Sequence, residues 1–199
     1  MKPLLASPLL FAALLAATGA AAAQWRDREG RAVAETPSQR YEKGFGAMLR
    51  IATLAESERF HEEWYNTATE HAPTLATTDT AVRGDTVSIL ILYAGCAPQG
   101  ADEADIAAGR IACPAMLDLR VFAPDGTVYA HPEEMPLAQD QPAGPAGIVQ
   151  LSPVEVRMQF EPQDPLGVYR VEARIDEPER DAVLELSTSI ELKADGSKE

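Results

Sequence analysis

Side chains suited to metal or redox chemistry are scarce in this sequence. Its 199 residues hold three histidines and two cysteines. A metal pair or a redox pair is the alternative to a bond between Cys96 and Cys113, and their spacing is not the C-x-x-C of a redox pair. The nearest approach to a zinc-protease helix is His61-Glu62-Glu63-Trp64, which lacks the second histidine of H-E-x-x-H. No G-x-S-x-G elbow presents a serine, since Ser57, Ser88, Ser152, Ser187 and Ser189 all sit in other contexts. No phosphate-cradling glycine loop occurs, and Gly44-x-Gly46 stands alone. Positive charge is short as well: 17 Lys and Arg against 31 Asp and Glu give a net charge of -14. That balance repels nucleic acid and anionic lipid headgroups and suits a cationic partner. With so many carboxylates, no single pair stands out as acid and base.

Long apolar runs are also missing, with one exception at the start. Met1, Lys2 and Pro3 precede an apolar stretch over residues 4–23. One positive charge, an apolar run and small residues are the layout of a secretory signal. Ala21 and Ala23 satisfy the small-x-small rule, which places the cut between Ala23 and Gln24. The stretch is long enough to span a bilayer, so a retained anchor is the alternative. Its richness in Ala rather than Leu favours cleavage. No cysteine stands at the cut, so no lipid anchor is expected. Taking 23 residues from 199 leaves 176, enough for one domain with extended ends. Losing Lys2 takes the net charge from -14 to -15. The expected compartment is the periplasm or the outside. There an even cysteine count reads as one bond, Cys96 to Cys113. Closing 17 positions is worth roughly 3 kcal/mol in the chain-entropy model.

Residues 24–43 are polar and aperiodic and read as a flexible leader. The domain is expected over 44–193, with a disordered tail at 194–199. Residues 44–51 resemble a first strand. Residues 55–68 are the one good helix candidate, with Thr53 as N-cap and Glu56 at capping-box spacing. Phe60 and Trp64, four apart, share a face; with Tyr65 they form either a buried stripe or a recognition surface. After Pro73 the pattern has period two. Val87, Ile89, Ile91 and Tyr93 point one way and Leu90 and Leu92 the other, as in a central strand covered on both faces. Leu117, Leu119 and Val121 alternate with charge before a Pro124-Asp125-Gly126 turn. Residues 131–147 hold four prolines and read as a long loop. Further alternating runs cover 154–160, 169–175 and 184–192. Strands with one wet face, separated by turns, predict a mainly β, antiparallel sandwich with one short helix near its N-terminal side.

The stretch Asp164-Pro165-Leu166-Gly167-Val168-Tyr169-Arg170-Val171 resembles the tyrosine-corner strand of immunoglobulin-like domains, including the bacterial macroglobulin-type modules. The resemblance makes Tyr169 the corner tyrosine and Gly167 its partner in the turn. Together with Gly44-Phe45-Gly46, Thr78-Asp79-Thr80, Gly95-Cys96 and Pro124-Asp125-Gly126, it resembles an exported proteobacterial family of immunoglobulin-like β-sandwich modules. That resemblance implies a fold and no activity. Antibody-type domains bridge two facing strands, whereas Cys113 lies near a loop.

These observations lead to an expectation of a non-enzymatic periplasmic or secreted module that binds or braces an envelope component. No cofactor is expected, and the partner is expected to be an envelope protein with a basic surface. The alternative is a copper- or zinc-binding protein using His131 and Met135, or His61 and His71.

Overall fold

Nine consecutive residues, Thr86–Ala94, build the strand around which the molecule is organised. Eight of them are buried, because this strand has apolar partners on both faces. Val87, Ile89, Ile91 and Tyr93 join the main core, while Leu90 and Leu92 join a second, smaller one. A strand so covered must lie inside a sheet with a further layer outside it.

In chain order the elements are β1 (Gln39–Glu42), β2 (Phe45–Thr53), α1 (Leu54–Asn66), β3 (Thr80–Val82), β4 (Thr86–Ala94), α2 (Glu103–Ala107) and β5 (Met116–Phe122). They continue with β6 (Val128–Ala130), β7 (Met135–Pro136), β8 (Val149–Leu151), β9 (Val156–Gln159), β10 (Gly167–Glu177) and β11 (Ala182–Lys193). This computed structural model describes residues 25, 31–67, 73–97, 100–144 and 147–194. The expected signal at 1–23 and His71 lie outside the described residues.

One sheet runs β1-β2-β4-β8, with β9 also on β4; the other runs β3-β11-β10-β5-β6, with β7 on β5. All pairings are antiparallel except β3 with β11. The sheets face each other across the main core, and the fold is a mainly β, two-sheet sandwich. The outermost strands, β1, β3, β6, β7, β8 and β9, are each four residues long or shorter.

The α1 helix covers the outer face of the first sheet. Thr53 caps it by accepting the Glu56 N–H on Oγ1 at 3.3 Å, which satisfies one of the four free N–H groups of the first turn. Phe60 and Trp64 then pack with Leu90, Leu92 and Leu151 into the second core.

The structure departs from the sequence-based expectations in three places. The leader expected at 24–43 contains β1, which pairs with β2, and Pro37 O accepts the Ser187 N–H at 2.7 Å. Trp25 within it is 8% exposed. An edge strand needs backbone partners rather than an apolar run, so polarity hid it. A second helix, α2, is present because Asp102 caps a short turn through the Ala104 N–H. The loop expected at 131–147 carries β7, which pairs Met135 with Leu117.

Candidate functional site

The strands deliver chain turns to two ends of the sandwich, and the two ends differ in chemistry. At the first end, Tyr169 is fully buried and donates its hydroxyl to Pro165 O at 3.0 Å. Its ring meets Phe160 at 5.0 Å and Tyr129 at 5.4 Å, both edge-on. Asp164 Oδ2 accepts Tyr129 Oη at 2.9 Å and the Glu161 N–H at 2.7 Å. Arg83 donates twice to Asp164 O. Burial and the Asp164 carboxylate push the Tyr129 phenol up, and burial does the same to Tyr169. Gly167 has φ +132°, and a Cβ there would stand 3.0 Å from Pro124 Cβ. Only glycine fits this turn.

The opposite end is tied by the Cys96–Cys113 disulfide, with Cα atoms 5.3 Å apart. It gathers the β1–β2 turn, the loop carrying α2, the β10–β11 turn and the C-terminal end of α1. Arg180, from the β10–β11 turn, donates Nε to Gly95 O at 2.9 Å and Nη2 to Ala97 O, so it grips the chain on both sides of Cys96. Glu177 is fully buried and holds the Arg180 N–H on Oε2 at 2.8 Å. Lys43 reaches across to Asp181. Five buried side-chain polar atoms lack a partner among the described residues, and four are here: Tyr41 Oη, Tyr93 Oη, Glu177 Oε1 and Arg180 Nη1. Burial raises all three acids in this set, with Tyr93 pushed up to about 12. Their clustering sets this end apart from the tyrosine-corner end.

The expected recognition residues divide. Phe60 is 1% exposed and Trp64 packs against the second core, with ring centroids 5.5 Å apart. Tyr65 turns outward and is 59% exposed, with its hydroxyl 3.4 Å from Gln141 Nε2 of the 131–147 loop. Glu58 and Glu62 are exposed on the same helix, seven and three positions before it respectively.

Of the expected metal ligands, His71 lies outside the described residues, and the other three each have neighbours of their own. His61 Nδ1 lies 2.9 Å from Ser57 O, within its own helix. The His131 ring takes Arg120 Nε on Nε2 at 2.8 Å, with Glu133 Oε1 2.9 Å from the same nitrogen. Met135 packs against the main core. Among the described residues no three His, Cys, Asp or Glu side chains group as a metal site.

Two features escaped the sequence reading. Glu177 occupies the inward phase of β10 after Tyr169, Val171, Ala173 and Ile175, so the alternation itself marks a carboxylate aimed into the core. Ser57 lies one turn before Phe60 on the buried face of α1 and donates to Glu155 Oε1 at 2.6 Å. That bond fastens the helix to the segment before β9. Burial raises Glu155, but the Ser57 and Ser88 hydroxyls and the Arg157 guanidinium outweigh it and hold the carboxyl below its ordinary range.

No family model and no curated protein sequence matches the chain. Among solved structures it is similar to a Niemann-Pick type C2 protein from Japanese carpenter ant, at 7% identity and TM-score 0.36, covering 57% of this chain and 79% of that one. It is also similar to a CARDB domain from Pyrococcus furiosus solved with di-metal ions, at 12% identity and TM-score 0.35, covering 81% and 99%. A family 123 glycoside hydrolase from Clostridium perfringens aligns at 11% identity and TM-score 0.36, over 74% of this chain and 27% of that one.

Proposed function

We propose that this chain is an exported, non-enzymatic module of the bacterial envelope that grips a basic partner with its disulfide end. The observation that carries the reading is Tyr65. Tyrosine is favoured at binding hot spots because its ring buries much area at little entropic cost. Here it stands 59% exposed at the loop-rich end, behind Glu58 and Glu62. The net charge of -14 favours encounter with a cationic surface. The disulfide suits an oxidising compartment, and residues 1–23 suit export to the periplasm or beyond.

The test is capture from envelope extract on the immobilised mature protein, in parallel with Tyr65→Ala and Glu58→Lys/Glu62→Lys variants. A band held by wild type, released by moderate salt and lost from both variants is expected. Equal capture by all three proteins rejects the surface. Titration with Cu(I), Cu(II) and Zn(II) in a calorimeter addresses the metal alternative; a submicromolar site lost in His131→Ala or His61→Ala would replace this reading.

A further inference from the structure

Trp25 is buried although it stands in the polar stretch before β1. Its Nε1 donates to Arg40 O at 3.2 Å, and its own carbonyl accepts the Val33 N–H at 2.7 Å. Gly46, inside β2, makes the seat. A Cβ built on Gly46 would stand 2.7 Å from Tyr41 Cδ2 and 3.1 Å from Trp25 Cε2 and Cζ2, so indole and phenol meet over a stretch of backbone that carries no side chain. Glu35 joins them, because its Oε1 accepts the Tyr41 N–H at 3.1 Å. Trp25, Ala32, Val33, Ala34, Glu35 and Tyr41 together line an open cavity of about 220 Å³.

The wall of this cavity specifies an occupant by charge and by hydrogens. Three of its N–H groups are already spent: Trp25 Nε1 on Arg40 O, the Val33 N–H on Trp25 O and the Tyr41 N–H on Glu35. Its one formal charge is the Glu35 carboxylate, whose oxygens can each accept a further hydrogen. Arg40 Nη1 lies 3.4 Å from Glu35 Oε2, but both side chains are nearly half exposed, and such a pair is weak enough to yield to a competitor. The rest of the wall is aromatic and aliphatic. A positively charged donor on an apolar stem suits all of it, and aromatic rings are good neighbours for such a cation. We infer that this cavity binds the primary ammonium group of a lysine side chain, with the ammonium on Glu35 and the stem against Val33, Trp25 and Tyr41. The net charge of -14 draws such groups toward the molecule. The site uses none of the residues of the Tyr65 surface and stands whether or not that surface takes a partner.

The test is an NMR titration of purified protein beginning at Gln24 with N-acetyl-lysine methylamide. The readout is the Trp25 indole N–H, assigned with Trp25→Phe. A saturable shift with a Kd in the millimolar range is expected, as suits one side chain in one small cavity. N-acetyl-norleucine methylamide keeps the stem and lacks the ammonium, and it should bind roughly tenfold more weakly or worse. Glu35→Gln keeps the shape of the wall and removes its charge, and it should weaken the lysine probe by a similar factor. Tyr65→Ala should bind the lysine probe as wild type does. Equal binding of the two probes, no shift of the Trp25 indole with either, or an unchanged affinity in Glu35→Gln overturns the site. So does loss of binding in Tyr65→Ala, which would put the ammonium on the other surface.

Discussion

The two ends of this sandwich are built from the same strands and solve opposite problems. At the tyrosine-corner end, Tyr169, Tyr129, Asp164 and Arg83 all find partners, and three aromatic rings pack edge to face. At the disulfide end, four buried polar atoms find none among the described residues, and a covalent bond ties the chain there. The difference is between an end whose polar groups are satisfied within the fold and an end where four are not, among the described residues. Binding surfaces are drawn from the second kind of region.

The sharpest way to break the comparison is Tyr169→Ala, which removes the ring at the centre of the first end. It should cost about 3–5 kcal/mol in urea melts, through lost burial and the cavity left behind. Replacing Cys96 and Cys113 by Ala should cost less, roughly 3 kcal/mol, because the closed loop is short. If the cysteine pair costs more than the tyrosine, the disulfide end is the structural one and the contrast is reversed. Tyr169→Phe keeps the ring and removes one hydrogen bond, for about 1–3 kcal/mol.

Two carboxylates sharpen the comparison through pH. Glu177 is raised by burial, so its contribution is fully present below the ordinary glutamate range and is lost as pH rises through its folded value. Glu155 is lowered by hydroxyls and Arg157, so its contribution is present above that range and is lost as pH falls. At pH 7, Glu177→Gln should therefore melt higher than wild type and Glu155→Gln lower, with both differences shrinking toward pH 4. The same sign for both variants would show that the two sites share one environment. The smallest expected effect is Tyr65→Ala. An exposed ring should change stability by no more than about 0.5 kcal/mol while abolishing partner capture.

Much of the sandwich is legible in the sequence because period two survives in the long central strands. β4, β5 and β10 carry inward rows that can be read directly, and the Thr53 cap with Glu56 marks the start of α1. The short elements are less legible. β1 pairs at the edge of a sheet with polar side chains, and β7 is two residues long, so neither leaves a hydrophobic period. The candidate site was read in fragments. Tyr65 stands next to Trp64 in sequence, and only the helix's seat on the sheet separates the buried ring from the exposed one. Glu177 continues the inward row of β10, but the Arg180 beside it reaches Gly95 and Ala97 in a separate segment, a meeting that no local pattern encodes.

The shortness of the six outermost strands has a consequence for life in a crowded compartment. A long bare edge is a template on which a second chain can lay its backbone, and fibres begin that way. Here β1, β3, β6, β7, β8 and β9 offer at most four residues each, and the long strand β10 lies inside its sheet, while β3 covers β11 only at Glu191–Lys193. Each of those six short edges gives a neighbouring copy only a short main-chain foothold. At those short edges, recognition by another chain falls to side chains, which can discriminate between partners, rather than to the backbone, which cannot.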